Sequence, residues 1–160
     1  MNALQKIKLQ HRIKVRIYIV IAGLLLSGIT AFPIETELAI LVEHQSTTGI
    51  MSMWLNKVYG AVEITNLNYP FLSYGTDWLA FAHLMLAVLF IGPLKDPVKN
   101  IWVIEFGLIT SVCIFPLAFI AGSIRGIPFF WTMIDCSFGA VTLLLLIPCY
   151  RAIIRLTTLP

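Results

Sequence analysis

The chain has 160 residues, of which 59% are hydrophobic and 12% charged, with a mean hydropathy of +0.90 and a formal net charge of +3. A soluble domain carries about a quarter of its residues charged, so an ordinary soluble protein is excluded, and so small a net charge is no signal for nucleic acid. The length fits one domain, read as a single membrane domain over 1–160.

The basic residues come first. Lys6, Lys8, Arg12, Lys14 and Arg16 precede Tyr18 with no acid among them. That pattern resembles a secretory signal, but the apolar run reaches Phe32 with no small-residue cleavage region, and Pro33, Glu35 and Glu37 follow. The reading is an uncleaved signal anchor, with a first membrane helix over 14–33 stopped by Pro33. Gly23 and Ser27, four apart, are expected to form a packing face.

Residues 34–76 form one long segment outside the membrane. It is too apolar for a floppy linker and too interrupted to span. A short helix is expected over Thr36–Glu43. A second starts near Gly49, capped by Thr47 or Thr48, with Ile50, Met53, Trp54, Val58 and Val62 on one apolar face. Asn66, Asn68, Pro70 and Gly75 read as an ordered loop. Long ordered loops in small proteins are more often functional than decorative. Glu35, Glu37, Glu43, His44, Glu63 and Asp77 read as a solvated acidic face, since no metal-ligand spacing is present.

The second membrane helix runs over 77–94, capped by Thr76 or Asp77, and the third over 101–121. The turn Leu94–Asn100 makes the two antiparallel. Pro116 predicts a kink, and Gly107 with Ser111 a second small-residue face. Ser123–Pro128 is a tight turn, and Pro128 leads a fourth helix over 128–149, ending near Pro148–Arg151. The fold class is therefore all-α: a polytopic four-helix transmembrane bundle with a partly helical extracytoplasmic cap. With the N-terminus inside, nine basic residues lie on the inner side and only Lys57 and Arg125 outside. The positive-inside rule then places both termini in the cytoplasm, with a bacterial inner membrane as the expected location. Trp78, Phe129, Phe130 and Trp131 mark outer helix ends; Tyr18, Trp102 and Tyr150 mark inner ones.

Only three ionisable side chains fall deep in these helices: His83, Glu105 and Asp135. Charges in such helices are costly and face protein interior or a wet cavity. His83 lies six residues into the second helix and Asp135 seven into the fourth, so both sit roughly 9–10 Å below the outer surface. A His83–Asp135 pair would hold the imidazole in one tautomer and serve as a proton relay, a pocket floor or a helix-to-helix hydrogen bond. Glu105, one turn into the third helix, reads as a structural anchor reached by Lys95 or Lys99. Arg125 would pair with Asp77 or Glu35, or receive an anionic group.

Several chemistries are set aside. No cofactor and no metal is expected: a membrane b-type haem needs two axial ligands, and His83 is the only histidine within the spans. There is no Cys-x-x-Cys, and Cys113, Cys136 and Cys149 read as small buried hydrophobes. Nucleophile-elbow, phosphate-loop and zincin motifs do not occur. Four helices without a repeat do not make a self-contained transporter.

Tyr69-Pro70-Phe71 through Asp77-Trp78, with Asp96-Pro97 and Ile101-Trp102-Val103-Ile104-Glu105-Phe106-Gly107, resembles a family of small bacterial four-helix membrane proteins of uncharacterised activity. The order of His83, Glu105, Phe115-Pro116 and the Pro128-led helix is similar to the sterol-isomerase and sigma-2-type membrane fold over about half the chain. Members of that fold bind amphiphilic amines or sterols between polar residues of a bundle. Three readings of function follow. The first is a protein that binds a small or lipid-like ligand, or acts as an accessory protein, through an outer-leaflet pocket of His83, Asp135, Trp78, Trp131 and Arg125. The second is an isomerase-like membrane enzyme with His83 and Asp135 as acid and base. The third is a structural subunit of a membrane complex. Expected partners are membrane lipids, a lipid-like ligand, and a membrane protein or a second copy of the chain, with no nucleic acid.

Overall fold

In the computed structural model, which describes residues 3–45 and 49–158, 89% of the chain is helical, with no strand among the described residues. Seven helices follow in order: α1 (Ala3–Ala31), α2 (Ile34–Glu43), α3 (Ile50–Asn68), α4 (Pro70–Leu89), α5 (Ile91–Lys95), α6 (Ile101–Arg125) and α7 (Phe129–Thr157). Four stretches are long and apolar enough to cross a membrane: Leu4–Ala31, Pro70–Lys95, Ile101–Arg125 and Phe129–Thr157. The all-α class and the four spans agree with the sequence; most of their ends do not.

α1 begins at Ala3 rather than Lys14, because the Lys, Gln, Arg and Leu residues before it are all good helix formers. α4 begins at Pro70, so Thr76 and Asp77 lie inside it and cap nothing. The loop expected over 66–75 is helix except at Tyr69. Pro70 is the cause. A proline pushes the residue before it out of the helical region, and Tyr69 takes φ −139° and ψ 55°. The same proline is well placed to open α4, where its missing N–H costs nothing. At the other end, α7 passes through Pro148 and continues to Thr157. Ala152 and Ile153 beyond it are buried, so packing carries the helix past the lost amide.

The short helix expected over 36–43 is α2. α3 starts after Gly49 as expected, but Thr47 and Thr48 lie outside the described residues and no side chain caps that end. Its inner face also differs from expectation. Ile50 and Met53 are 75% and 73% exposed, whereas Ser52 and Leu55 are buried. The packed stripe runs Ser52, Leu55, Tyr59, Val62, Asn66. α3 is apolar on several sides, so periodicity alone does not select a face.

The chain divides into two compact units, 1–22 with 87–160, and 23–86. In the first, α6 and α7 form a tight antiparallel hairpin. A Cβ placed on Gly139 would lie 2.8 Å from the Ser111 carbonyl oxygen, and one on Gly107 would lie 2.6 Å from Leu146 Cδ1. The hairpin turn is a Schellman motif. Gly126 takes φ +66°, its N–H reaches the Ser123 carbonyl, and Ile127 N–H donates to Gly122 O at 2.9 Å. The 96–100 turn is tied by Asp96 Oδ1, which accepts from the N–H groups of Val98 and Lys99. Asn100 Nδ2 donates to the carbonyls of Gly92 and Asp96. Ile13 and Ile17 of α1 are fully buried in the same unit.

In the second unit α2 and α3 pair as a hairpin around Leu38, Ser52 and Leu55. The small-residue faces divide. Gly107 and Ser111 are buried as expected, and Ser111 Oγ donates back to Gly107 O at 2.6 Å. Gly23 and Ser27 are exposed, with nothing within 4 Å of a Gly23 Cβ. The close approach in α1 falls at Gly28, against Leu84 and the Ala80 carbonyl of α4. Sequence spacing marked a small-residue pair but not the rotation of the helix.

Candidate functional site

Asp135 stands on α7 six residues after Phe129, about 9 Å along the axis. Facing it is one side of α6. Ile114, Leu117, Ala118, Ala121, Gly122 and Arg125 recur at intervals of one, three and four, the spacing of a single helix face. Together with Ile127 from the turn, these residues and Asp135 line a cavity of about 290 Å³. The small side chains at 118, 121 and 122 create the space, because nothing larger fills the groove between the helices.

Arg125 and Asp135 are thus brought to one cavity. They do not form an ion pair: the only one among the described residues is Lys99–Asp96, at 3.8 Å. Among the described residues Asp135 has no hydrogen-bond partner either, so a half-buried carboxylate faces a recess that is apolar apart from Arg125. Such a group calls for a donor or a cation. Trp131, also expected at the site, is half-buried but does not line the cavity; its ring meets Phe130 edge to face at 6.4 Å.

His83 and Trp78 ride on α4 in the other unit. His83 is half-buried, and its Nδ1 lies 2.8 Å from the Leu79 carbonyl, one turn back. Nδ1 therefore donates, which leaves Nε2 as the nitrogen that faces away from the helix backbone bond. Helix geometry thus supplies the tautomer lock that the sequence suggested for Asp135. Trp78 is exposed, in edge-to-face contact with Tyr74 and Phe81.

Glu105 departs from expectation. It is exposed on α6, and Lys99 pairs with Asp96 instead of reaching it. The Asp96 turn holds Lys99 close to its own carboxylate, which shortens the reach. Cys136 and Cys149 are buried as expected for small hydrophobes, but Cys113 is exposed. Among the described residues no three His, Cys, Asp or Glu side chains group as metal ligands.

One polar cluster went unread in the sequence. Ser73 Oγ donates to Asn66 Oδ1, and Asn66 Nδ2 donates to Glu35 Oε2, linking α4, α3 and α2. Glu35 is therefore half-buried and bonded, not part of a solvated acidic face. Asn66 and Ser73 are seven residues apart across the Pro70 break, a spacing that invites contact only once both flanks are known to be helical. No protein-family model matches the chain, and no curated protein or solved structure matches it.

Proposed function

We propose that the chain is an integral membrane protein that binds a lipid-like amphiphile in the α6–α7 cavity, with its polar head between Arg125 and Asp135. The observation that carries this reading is the unpartnered Asp135 carboxylate on the wall of a recess that is apolar everywhere except at Arg125. Size narrows the ligand. Ligand pockets run from about 300 to 1,000 Å³, and a recess of about 290 Å³ stands at the foot of that range, with room for a head group and not for a long hydrocarbon tail as well. The rim beside it suits that tail, since Leu117 is 66% exposed. A head bearing both a donor and an acceptor, such as an amino alcohol or a zwitterion, satisfies Asp135 and Arg125 together.

The four spans and the nine-to-two distribution of basic residues support a bacterial inner-membrane location with both termini cytoplasmic. On that reading the Arg125 end of the cavity lies in the outer leaflet. Native mass spectrometry of gently solubilised protein tests the binding reading. A small amphiphile retained by the wild type and lost from Asp135→Asn and Arg125→Gln is the expected result. A stoichiometric protein partner with no small molecule would overturn it in favour of a complex subunit.

A further inference from the structure

α3 is apolar on two sides, and the chain uses one of them. Ser52, Leu55, Tyr59, Val62 and Asn66 form the side that packs on α2. Ile50, Met53, Ile64 and Leu67 share another. At 3.6 residues per turn these four fall within a sector of about 100° that faces away from the packed stripe. All four are exposed, Ile64 by 60% and Leu67 by 81%. Apolar side chains aligned in the open mark a surface that meets something. One cation stands among them. Lys57 falls in the same sector, is exposed, and holds its Nζ 5.8 Å from the centre of the Trp54 ring. Among the described residues it has no ion-pair partner.

The position of α3 says what covers that side. Phe32 and Pro33 alone separate α1 from α2, and Tyr69 alone separates α3 from α4. The α2–α3 hairpin is therefore tied at both ends to stretches long and apolar enough to cross a membrane, Leu4–Ala31 and Pro70–Lys95. These two stretches touch, since a Cβ on Gly28 would lie 2.8 Å from Leu84 Cδ2. Consecutive spans leave the hairpin between them on one face of the membrane and close to its surface. Leu67 stands three residues before Pro70, roughly 5 Å along a helix. Exposed Phe71 and Leu72 continue the apolar surface into α4. α3 has 19 residues, enough to cross, but Asn56, Lys57, Glu63 and Asn66 interrupt its apolar run and it is not among the four spans. A helix of that kind lies in the plane of the interface, its lysine methylenes in hydrocarbon and its ammonium at the phosphates. A second copy of the chain fits the stripe poorly. Lys57 stands near the midpoint, and a two-fold contact there sets one lysine against the other.

We propose that α3 lies in the head-group layer of the membrane that the four long helices cross, with Ile50, Met53, Ile64 and Leu67 in the hydrocarbon and Lys57 on a lipid phosphate. α2, packed on the other side of α3, then stands toward water, with Glu43 and His44 exposed at its end. This placement rests on the reading that the four long helices span a bilayer. It is independent of the Arg125–Asp135 cavity.

Met51 and Met53 supply the test. Two residues apart on a helix, they point about 160° apart. In the chain alone Met53 is the more exposed, 73% against 42%. Hydroxyl-radical footprinting of the full chain in nanodiscs of phosphatidylglycerol and phosphatidylcholine, one copy per disc, reads the two separately by fragment-ion mass spectrometry. Met53 is expected to oxidise several times more slowly than Met51. Oxidation of Met53 as fast as Met51, or faster, overturns the proposal. So does protection of Met53 that appears only in discs holding two copies, because the cover is then the second copy. Lys57→Gln should raise the Met53 rate about fivefold, the effect of one basic group lost from an anionic surface. An unchanged rate in that variant overturns the phosphate contact. Alkaline extraction of the membranes keeps the two readings apart. A chain released by carbonate fails the spanning reading, whereas a chain that stays in the membrane with Met53 unprotected fails only this one.

Discussion

The α6–α7 hairpin closes where side chains are missing, whereas the α2–α3 hairpin is tied where they are polar. Between α6 and α7 the contact points are Gly107, Gly122 and Gly139, each with a neighbour's atom where a Cβ would stand or press. Between α2 and α3 the buried residues are few, Leu38, Ser52 and Leu55, and the Glu35–Asn66–Ser73 chain secures the end beside α4. The difference reflects the surroundings each sequence suits. In a lipid-like environment apolar burial gives helices little reason to associate, so close backbone approach through small residues does the joining. α2 and α3 are shorter and carry half of the chain's acids, and there hydrogen bonds between side chains specify the pairing.

The contrast breaks most visibly at Gly139. Gly139→Val puts branched carbon against the Ser111 carbonyl, which belongs to the backbone and cannot rotate away. Unfolding measured in detergent should show a loss of about 3 kcal/mol; a change below about 1 kcal/mol would mean that the hairpin does not depend on close approach. Asn66→Leu tests the other side of the comparison. It strips the Glu35 carboxylate and the Ser73 hydroxyl of their shared partner, and a loss of about 2 kcal/mol is expected. Amide exchange should quicken in α2 and α3 while α6 and α7 stay protected. If both hairpins loosen equally, the two are not separate devices. Gly126→Ala has open space around it and pays only for its left-handed backbone, so about 1 kcal/mol should be lost. Gly23→Ala is the smallest change. With nothing within 4 Å of its Cβ, stability should stay within about 0.5 kcal/mol of wild type. A large loss there would reveal a packing face that α1 presents to another molecule.

The four spans were legible because charge is so scarce in them that no other helix pattern competes. Their ends were not, for a reason visible at each one. No side-chain cap closes α2, α3, α5, α6 or α7 at its N-terminus. Thr76 and Asp77 look like a cap and lie inside α4, while Pro148 looks like a stop and lies inside α7. Asp135 was legible as a costly group in need of a reason. Arg125, ten residues and one tight turn away, was read into the same pocket, although the pairings suggested for it were Asp77 and Glu35. The α6 residues that wall the cavity were not read, because spacing says nothing about the direction a side chain takes around its helix. The Glu35–Asn66 bond joins residues 31 apart in the chain. No local pattern encodes such a pairing.

Tyr69 is the sole residue between two helices of 19 and 20 residues, and the Asn66–Ser73 bond bridges it from one side to the other. A joint one residue long and clasped across its bend has almost no free travel. Any rotation imposed on α3, by a partner or by the lipid around it, is handed to α4 as torque and not lost as slack. The imidazole of His83 sits more than three turns along that shaft, so a push on the α2–α3 hairpin would turn the ring with it.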